Sequence, residues 1–522
     1  MAIRKKLLAS ALILTISSSI LTGCNQNTKE TSNNSTATTS TELAYNDLFK
    51  ENEVMDVKIE LSEEDWNDMK KNARDEEYHS ANITIGDTKL ENIGIRTKGF
   101  SSLQFVSSSD SDRYSFRIKF DKYVDGQNLY GLNEFVLNNN FQDPSYMREY
   151  LSYKALEQLG VDVPKTAYSN VYINGELFGF YLAVEAVDDS FVERISDSNA
   201  TDVKLYKAEG DHATLVDEDS LSNFELKSGE DDSMAGLKKL VSALNSIKDG
   251  QKGDIESVFD VDTFLKSIAV NTVVGNYDSY SGSKAHNYFL LEEDGVFKYI
   301  PWDYNMAFGG YMEDGGASVT VSIDEPIYGV DASKRPLITK LLSVDEYKEK
   351  YYGYLNELVT YFDDFENTVS ELSSFIKPYV ENDPSAFYTI EQYEQNITTS
   401  DTDLSKIENK IPSGGGKFSE GMKIPDGMDF TKGEKPEGIP NMPDGMDFTK
   451  GEMPEGMKIP NGMDFSKGEM PEGMANMPDG MDFTKGEMPE GMEMPKMGLS
   501  ENVVSIMDYL TQRIENIKTQ LS

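Results

Sequence analysis

The chain has 522 residues, of which 38% are hydrophobic and 11% aromatic, which is enough for a sizeable core in one large domain or in two to three average ones. Its formal net charge of −42 excludes binding to nucleic acid or to an anionic membrane through a general positive field. The single cysteine, Cys24, excludes disulfides and cysteine-based metal sites within the chain. These numbers indicate an acidic globular protein without a nucleic-acid partner.

The N-terminus has the pattern of an exported lipoprotein. Residues 1–23 combine a basic start with an apolar run that is too short for a comfortable membrane span, and they end in Leu-Thr-Gly before Cys24. This ending resembles a bacterial lipobox, in which the cysteine is lipidated. We therefore expect residues 1–23 to be a signal peptide and Cys24 to anchor the protein on the outer face of the cytoplasmic membrane; an ordinary signal peptide is the alternative. The polar residues 24–44 predict a flexible tether.

A strand-rich region follows the tether. Alternation of apolar and polar residues predicts strands at residues 54–61, 81–85 and 91–97. Ser62 is a candidate N-cap for a helix after the first of them.

One lysine in this region is a candidate phosphate ligand. Lys119 lies in YSFRIKFDKY, whose alternation places it on the face opposite to the Phe and Ile side chains. The preceding segment RTKGFSS contains Lys98. A strand lysine that faces a cleft can hold nucleotide phosphates, although a solvent-facing lysine on an edge strand is the commoner case. RTKGFSS is not a Walker loop, because it lacks the G-x-x-x-x-G-K pattern.

Start and stop signals predict the next elements. Asp143 as N-cap with Pro144 at the first helical position predicts a helix that Gly160 ends. Asn174-Gly175 between two β-rich runs predicts a hairpin with a type I′ turn, followed by a helix that begins near residue 188. Residues 202–233 are acidic and irregular, so we expect a surface loop after KLYKAEG, and helices are predicted at residues 233–248 and 261–274.

The segment 275–308 carries the candidate chemistry. Asp278 follows the helix-like run, Asn287 comes nine positions later, and Asp303 stands directly after the second of two strand-like runs. Polar side chains after a helix and at strand ends can converge in a cleft. Two carboxylates and an amide are the groups that phosphoryl transfer uses to accept a proton and to hold Mg²⁺. Asp and Asn are also the usual turn formers, which is the structural alternative.

Residues 396–498 are a low-complexity region with a unit that begins at Pro425, Pro443, Pro460 and Pro478. Glycine and proline throughout predict an extended or disordered segment. Each unit offers one hydroxyl, which we hypothesise to be a phosphoacceptor, a passive spacer being the alternative: Thr431, Thr449, Ser466 and Thr484. Residues 499–522 predict an amphipathic helix capped by Ser500 that packs back on the folded domain.

Several of these segments resemble the CotH family, the spore-coat protein H kinases, which are atypical protein kinases. The matching motifs are GNYDSY, HNYFLL, YIPWDYNMAFG, RTKGFSS, SFRIKFD and NGELFGFYLAVE, and they occur in the expected order. The resemblance implies an α+β fold: a two-lobed, atypical protein-kinase-like domain over residues 45–395, with the disordered repeats inserted before the C-terminal helix. The H-R-D, D-F-G and G-x-G-x-x-G motifs of ordinary kinases are missing.

The resemblance also implies roles. It assigns Asp278 to catalysis, and Asn287 and Asp303 to a Mg²⁺ or Mn²⁺ ion. ATP is then the cofactor, and a Ser or Thr side chain of a surface or spore-coat protein, or of this chain itself, is the acceptor. Four further residues are expected at the nucleotide, with Lys119 also catalytic: Lys98, Lys119, Glu149 as a candidate partner of the strand lysine, and Glu185. His286 is expected to be structural.

Two other functions remain open from the sequence. A non-catalytic surface scaffold or adhesion lipoprotein could keep the fold, and the little ATP outside a cell favours it. A glycan hydrolase would use paired carboxylates, but the asparagine between Asp278 and Asp303 and the strand lysine fit metal and phosphate better.

Overall fold

The computed structural model describes residues 44–407 and 503–522, except residues 198, 211, 232, 249 and 312–315. The predictions for Cys24, the tether, and the repeats with their hydroxyl residues lie outside the described residues. The prediction that Ser500 caps the last helix is wrong: that helix begins at Ile506, and its N-cap is Ser505, whose hydroxyl accepts from the Met507 N–H at 3.1 Å. Among the helices of the described part, none is long and apolar enough to cross a membrane.

A closed barrel of seven strands occupies the first part of the described chain. Its strands are β1 (Met55–Glu60), β2 (His79–Ile85), β3 (Thr88–Lys98), β4 (Ser115–Lys119), β5 (Glu134–Asn138), β6 (Thr166–Ile173) and β7 (Glu176–Glu185). Their spatial order is β1-β2-β3-β4-β5-β7-β6, and β6 closes the barrel on β1 in parallel while the other pairs are antiparallel. Three helices lie between these strands: α1 (Glu63–Lys71), α2 (Ser101–Ser107) and α3 (Arg148–Gln158).

A helical part with a second sheet follows the barrel. Its helices are α4 (Asp189–Ile195), α5 (Ala235–Ser246), α6 (Val261–Val274), α7 (Pro336–Leu341), α8 (Asp345–Tyr361), α9 (Phe365–Val380), α10 (Ile390–Asn396) and α11 (Ile506–Leu521). Its antiparallel sheet has the order β11-β10-β8-β9, made of β8 (Val203–Ala208), β9 (Phe224–Ser228), β10 (Tyr288–Glu293) and β11 (Val296–Pro301).

The two parts have separate hydrophobic cores. The inside of the barrel is filled by one face of its strands, for example Phe116, Ile118 and Phe135. The opposite face of β5 and β7, including Val136 and Val184, packs into the larger core formed by α3, α6, α8 and the second sheet. Strand alternation therefore makes β5 and β7 the shared wall of both cores. The mixture of helices and strands confirms the α+β class.

Two local predictions are confirmed in detail. The Ser62 hydroxyl accepts a hydrogen bond from the Asp65 N–H at 3.0 Å, so Ser62 is the N-cap of α1. Asn174 and Gly175 have φ angles of 51° and 90°, as a type I′ turn requires, and they connect β6 to β7.

Two other predictions are wrong. The helix expected from Pro144 begins only at Arg148, because Asp143 caps a tight turn instead: its carboxylate accepts from the N–H groups of Ser145 and Arg148. Tyr146 has a φ of 59°, which no α-helix tolerates. The surface loop expected after KLYKAEG contains the strand β9, which pairs with β8 and whose short alternating pattern is weak among so many acidic residues.

The described residues on either side of the repeat region pack together. The Asn396 amide nitrogen donates to the Val503 carbonyl oxygen at 2.8 Å. In α11, the buried Arg513 donates to the carbonyl oxygens of Thr272 and Val319, both at 2.9 Å. The final helix thus packs on the C-terminal end of α6, and the folded residues continue past residue 395 to residue 407.

Candidate functional site

Asn287 and Asp303 lie at the same end of one hairpin. Asn287 directly precedes β10 and Asp303 follows β11 by one residue, and the two strands pair from Tyr288 opposite Pro301. The Trp302 N–H donates to the Asn287 carbonyl oxygen, which extends the pairing by one step. Both Asn287 and Asp303 have left-handed backbones, with φ of 55° and 59°. Such strained conformations persist where the surroundings enforce them, often at functional sites.

Asp278 reaches this end of the hairpin from α6. The helix stops at Gly275, whose φ of 63° and N–H bond to the Asn271 carbonyl oxygen form a left-handed C-cap. Three residues later the Asp278 side chain, 17% exposed, lies against Asn287. The Asn287 amide nitrogen donates to the Asp278 carbonyl oxygen at 2.8 Å and to its Oδ2 at 3.1 Å. The predicted convergence of Asp278 and Asn287 is therefore present in the structure.

Lys98 and Glu149 lie on the barrel side of this end of the β10–β11 hairpin. Lys98 is the last residue of β3, and its Nζ donates to Asn138 Oδ1 at 3.1 Å at the end of β5. The Asn138 amide nitrogen in turn donates to Glu149 Oε2 at 2.7 Å in the first turn of α3. Asn138 thus connects the lysine to the glutamate. Asn138 and Glu149 are buried, with exposures of 9% and 4%.

The charges of these two sides act on one another. Burial lowers the pKa of Lys98, and the negative charges of Asp303 and Glu149 oppose that shift. Burial, together with the charge of Asp303, raises the pKa of Glu149 to about 7. Burial also raises the pKa of Asp303, an effect that Lys98 opposes and Asp278 strengthens. Lys98, Glu149, Asp278, Asn287 and Asp303 therefore form one electrostatic cluster, which we call the acid–lysine cluster.

Tyr153 ties the α3 side of this cluster to the hairpin side. It lies one turn after Glu149 on α3 and is 1% exposed. Its hydroxyl accepts a hydrogen bond from the Asp303 N–H at 3.2 Å. This contact holds the backbone of Asp303 close to the helix that carries Glu149.

The donor set fits a Mg²⁺ ion held together with phosphates. In the described part of the chain, no group of three or more His, Cys, Asp or Glu side chains could hold a metal ion alone. Mg²⁺ commonly uses one or two carboxylates and completes its octahedron with water and substrate phosphates. The Asp303 carboxylate and the Asn287 amide oxygen could supply such ligands, since the Asn287 nitrogen is already used on Asp278. A cation there would also relieve the repulsion between Asp278 and Asp303.

The structure does not bring Lys119 to the acid–lysine cluster. Lys119 is the last residue of β4, and its Nζ donates to Glu134 Oε1 at 2.7 Å and lies 3.4 Å from Asp121 Oδ1. Arg117 donates to the other oxygen of Glu134 at 2.6 Å. The antiparallel register explains this, because Lys119 lies opposite Gly94, four residues before Lys98.

Glu185 also lies apart from the cluster. It is fully buried, and its carboxylate accepts hydrogen bonds from the Tyr45 hydroxyl at 2.5 Å, from Arg194 Nη2 at 2.6 Å and from the Lys165 N–H at 2.9 Å. On β7 it lies opposite Phe135, which faces the barrel core. Its side chain therefore points away from the face that carries Lys98.

Arg148, the neighbour of Glu149, makes structural contacts outside the acid–lysine cluster. It is fully buried and donates to the Phe308 carbonyl oxygen at 2.7 Å and to Asn396 Oδ1 at 3.1 Å. It also donates to the Val504 carbonyl oxygen. Arg148 therefore fastens the segment after Asp303 to α3 and to the start of the last helix, while Glu149 faces the cluster.

Sequence reasoning missed three residues of this region. Asn138 and Tyr153 received no role, although NNN at a strand end and a tyrosine one turn after Glu149 are polar groups placed beside a predicted site. His286 was expected to be structural, but its Nε2 lies 2.7 Å from Asp278 Oδ1. The signal for His286 was its place next to Asn287 in the motif.

Comparison with known proteins agrees with the resemblance in the motifs. Residues 95–409, more than half of the chain, match the family described as CotH kinase protein. The chain is 25% identical to inner spore coat protein H of Bacillus subtilis over 346 residues, which are 63% of this chain and 89% of that protein. It is 22% identical to spore coat protein homolog 1 of Rhizopus delemar over 246 residues, which are 44% of this chain and 39% of that protein.

Solved structures resemble the chain only weakly. HipA of Shewanella oneidensis MR-1, in a complex with HipB and operator DNA, aligns with a TM-score of 0.24 and 11% identity over 51% of this chain and 56% of that one. The proinflammatory kinase CtkA of Helicobacter pylori aligns with a TM-score of 0.21 and 15% identity over 46% and 92%. These scores are too low to define the fold of the chain. The family match covers the barrel from β3 onward, the acid–lysine cluster and the helices up to α10, and it shows that the chain belongs to the CotH kinase protein family.

Proposed function

We propose that this protein is an atypical protein kinase that transfers the γ-phosphate of ATP to a Ser or Thr hydroxyl of a protein. The observation that carries the proposal is the acid–lysine cluster, in which Lys98 and Glu149 from the barrel side meet Asp278, Asn287 and Asp303 from the helical part. A lysine beside carboxylates at the junction of a barrel and a helical part suits a nucleotide that binds between two lobes.

Each residue of the cluster has a role in this proposal. Bound Mg²⁺–ATP would supply the phosphoryl group and neutralise part of its charge. Asn287 and Asp303 would hold the metal ion, and Lys98 would bind phosphate oxygens. Asp278 accepts the proton of the acceptor hydroxyl while the oxygen of that hydroxyl forms a bond to the γ-phosphorus. The bond between that phosphorus and the β–γ bridging oxygen breaks, and ADP leaves with the electron pair.

We assign the phosphate-binding role to Lys98 rather than to Lys119. Lys98 is half-buried at the cluster, and its charge lies close enough to Asp303 and Glu149 to influence the pKa values of both. Lys119 is held by Glu134 at the other end of the strand pair. Glu149 would form an ion pair with Lys98 directly if the Asn138 side chain moved out from between them. Otherwise it orients Lys98 through its hydrogen bond with Asn138.

The location of the protein is part of the proposal. Two relatives are named as spore coat proteins, which supports a place in or near a spore coat. The lipobox-like ending before Cys24 supports export and lipid anchoring. A surface or spore-coat protein is then the substrate, and the hydroxyls of the chain's own repeats are candidate acceptors.

The test is transfer of radiolabelled phosphate. The detergent-purified full chain is incubated with γ-labelled ATP and Mg²⁺, alone and with myelin basic protein as acceptor, and compared with the Asp278→Asn variant. We expect label on the chain or the acceptor and a loss of about a hundredfold or more in the variant, the usual contribution of a catalytic base. Mass spectrometry of the labelled chain identifies the modified residues.

A matched control is Asp294→Asn. Asp294 lies at the opposite end of the β10–β11 hairpin and contacts Thr201 and Asp202. Equal labelling by the wild type and Asp278→Asn, or no labelling of any protein by the wild type, would contradict the kinase and favour a non-catalytic surface scaffold.

A further inference from the structure

We propose that His286 is a positioning residue, which holds the Asp278 carboxylate in the orientation that accepts a proton from the acceptor hydroxyl. This inference rests on the proposed kinase function. It concerns a residue that the sequence alone predicts to be structural.

The contact between the two side chains is short and specific. His286 Nε2 lies 2.7 Å from Asp278 Oδ1, within the range of a charge-assisted hydrogen bond in which the imidazole donates. The next residue, Asn287, donates to the other oxygen, Oδ2, at 3.1 Å. Adjacent residues thus bind the two oxygens of one carboxylate. Because a carboxylate offers about four acceptor positions, lone pairs remain for a substrate proton.

The backbone around His286 supports a built arrangement. Ala285 and Asn287, on either side of it, both have left-handed backbones, with φ of 52° and 55°. Alanine rarely adopts this conformation, and Ala285 is fully buried, so its surroundings hold it there. With left-handed residues on both sides, the backbone turns sharply before and after His286. Its imidazole lies against Asp278, eight positions earlier in the chain.

The other two histidines show what an ordinary contact looks like in this protein. His79 Nδ1 and Nε2 lie 3.4 Å and 3.8 Å from Asp65 and Asp68, whose carboxylates are about half exposed at the edge of the barrel. His212 is exposed. Asp278 is more shielded than those two carboxylates, with a side-chain exposure of 17%, while His286 at 20% is slightly more exposed than His79 at 11%. The His286–Asp278 pair has the shortest histidine–carboxylate distance among the described residues.

Positioning has a large effect on phosphoryl transfer. A carboxylate held by one hydrogen bond can rotate about its side-chain torsions, whereas two bonds to different oxygens allow one orientation. A misplacement of about 1 Å can slow a reaction about a hundredfold. Loss of His286 should therefore lower kcat but leave ATP binding unchanged, because the phosphate and metal ligands are other residues.

The experiment compares His286→Ala and His286→Gln with the full-length wild type, using myelin basic protein as acceptor. The glutamine amide nitrogen can replace Nε2 as a donor to Asp278. The matched control is His79→Ala, which removes a histidine–aspartate contact away from the cluster. The measured quantities are kcat, KM for ATP, and the melting temperature with and without Mg²⁺–ATP.

We expect His286→Ala to lower kcat between about tenfold and a hundredfold, with KM for ATP and the Mg²⁺–ATP-induced rise in melting temperature unchanged. His286→Gln should recover most of kcat, and His79→Ala should equal the wild type. Wild-type kcat in His286→Ala, a glutamine variant no faster than the alanine variant, or a rise in KM that matches the fall in kcat would overturn the proposal. If His286→Ala does not fold, His286→Leu, which also lacks a donor, takes its place: a loss of kcat that the glutamine variant recovers supports the proposal, and wild-type kcat in His286→Leu overturns it.

The two proposals fail in different ways. A wild-type protein that labels neither itself nor the acceptor removes the kinase and with it the role of His286. An active wild type with an equally active His286→Ala variant removes only the role of His286.

Discussion

Lys98 and Lys119 lie on neighbouring strands of one barrel and on the same face of it, yet their surroundings differ completely. The β3–β4 register places Lys98 opposite Ser115 and Lys119 opposite Gly94. Four residues of strand therefore separate them, which is about 13 Å. At the Lys98 end the neighbours are Asn138, Glu149 and Asp303, and at the Lys119 end they are Glu134 and Asp121.

The environments also differ in charge. At the Lys119 end, Arg117 and Lys119 share the carboxylate of Glu134, and both cations are about one-third exposed. Such a partly exposed ion pair contributes little to the free energy of unfolding, and its charges already compensate one another without a ligand. At the Lys98 end, burial lowers the pKa of the lysine, and two carboxyl groups with raised pKa values lie nearby. The position along a strand, and not the strand face alone, decides which lysine can serve a nucleotide.

Replacing each lysine in turn tests most directly which of the two binds the nucleotide. We expect Lys98→Ala to lower kcat/KM for ATP between about tenfold and a hundredfold, because it removes a charge-assisted hydrogen bond to phosphate. Lys119→Ala should stay within about threefold of the wild type, because Glu134 keeps Arg117. Steady-state kinetics of phosphate transfer measures both. A larger loss in Lys119→Ala than in Lys98→Ala would reverse the assignment.

A smaller effect is expected from Glu149, the buried carboxyl group near Lys98. Burial and Asp303 raise the pKa of Glu149 from its ordinary 4.5 to about 7, so the folded state favours the neutral acid. The stability from this group is full below about pH 4.5 and is lost as the pH rises to about 7. Glu149→Gln keeps an acceptor for Asn138 and cannot ionise. Relative to the wild type, the variant should therefore gain up to about 3 kcal/mol of unfolding free energy across that window.

Urea denaturation of both proteins between pH 4.5 and 8 measures this difference in free energy. The matched control is Glu157→Gln, a more exposed glutamate on the same helix that pairs with Lys154. A difference between Glu149→Gln and the wild type that does not change with pH would show that folding does not raise the pKa of Glu149.

Much of the fold could be predicted because local signals agreed with it. Ser62, the Asn174-Gly175 turn and the apolar run of α6 each act over a few residues, and each is found where its pattern indicates. The start of α3 was misplaced because Asp143 is equally suited to a helix cap and to a tight turn. The strand β9 was missed because its identity depends on pairing with β8, which lies about twenty residues away in the sequence.

The site could be predicted where its residues lie in one segment. Asp278 and Asn287 converge as expected, because both lie in the one connection between the end of α6 at Val274 and the start of β10 at Tyr288. The barrel side could not be predicted, since the contact of Lys98 with Asn138 depends on the register of three strands. A lysine on β4 has the same sequence pattern whether it lies at the end of the β3–β4 pair beside the acid–lysine cluster or at the opposite end.

The most direct test of the central claim, a metal–nucleotide site at the acid–lysine cluster, is the melting temperature of the full chain with and without millimolar Mg²⁺–ATP. Ligand that binds the folded state raises it by mass action. We predict a rise of a few degrees in the wild type and in Lys119→Ala, and none in Asp303→Ala, which lacks a metal ligand. No rise in the wild type, or an equal rise in Asp303→Ala, would contradict the claim.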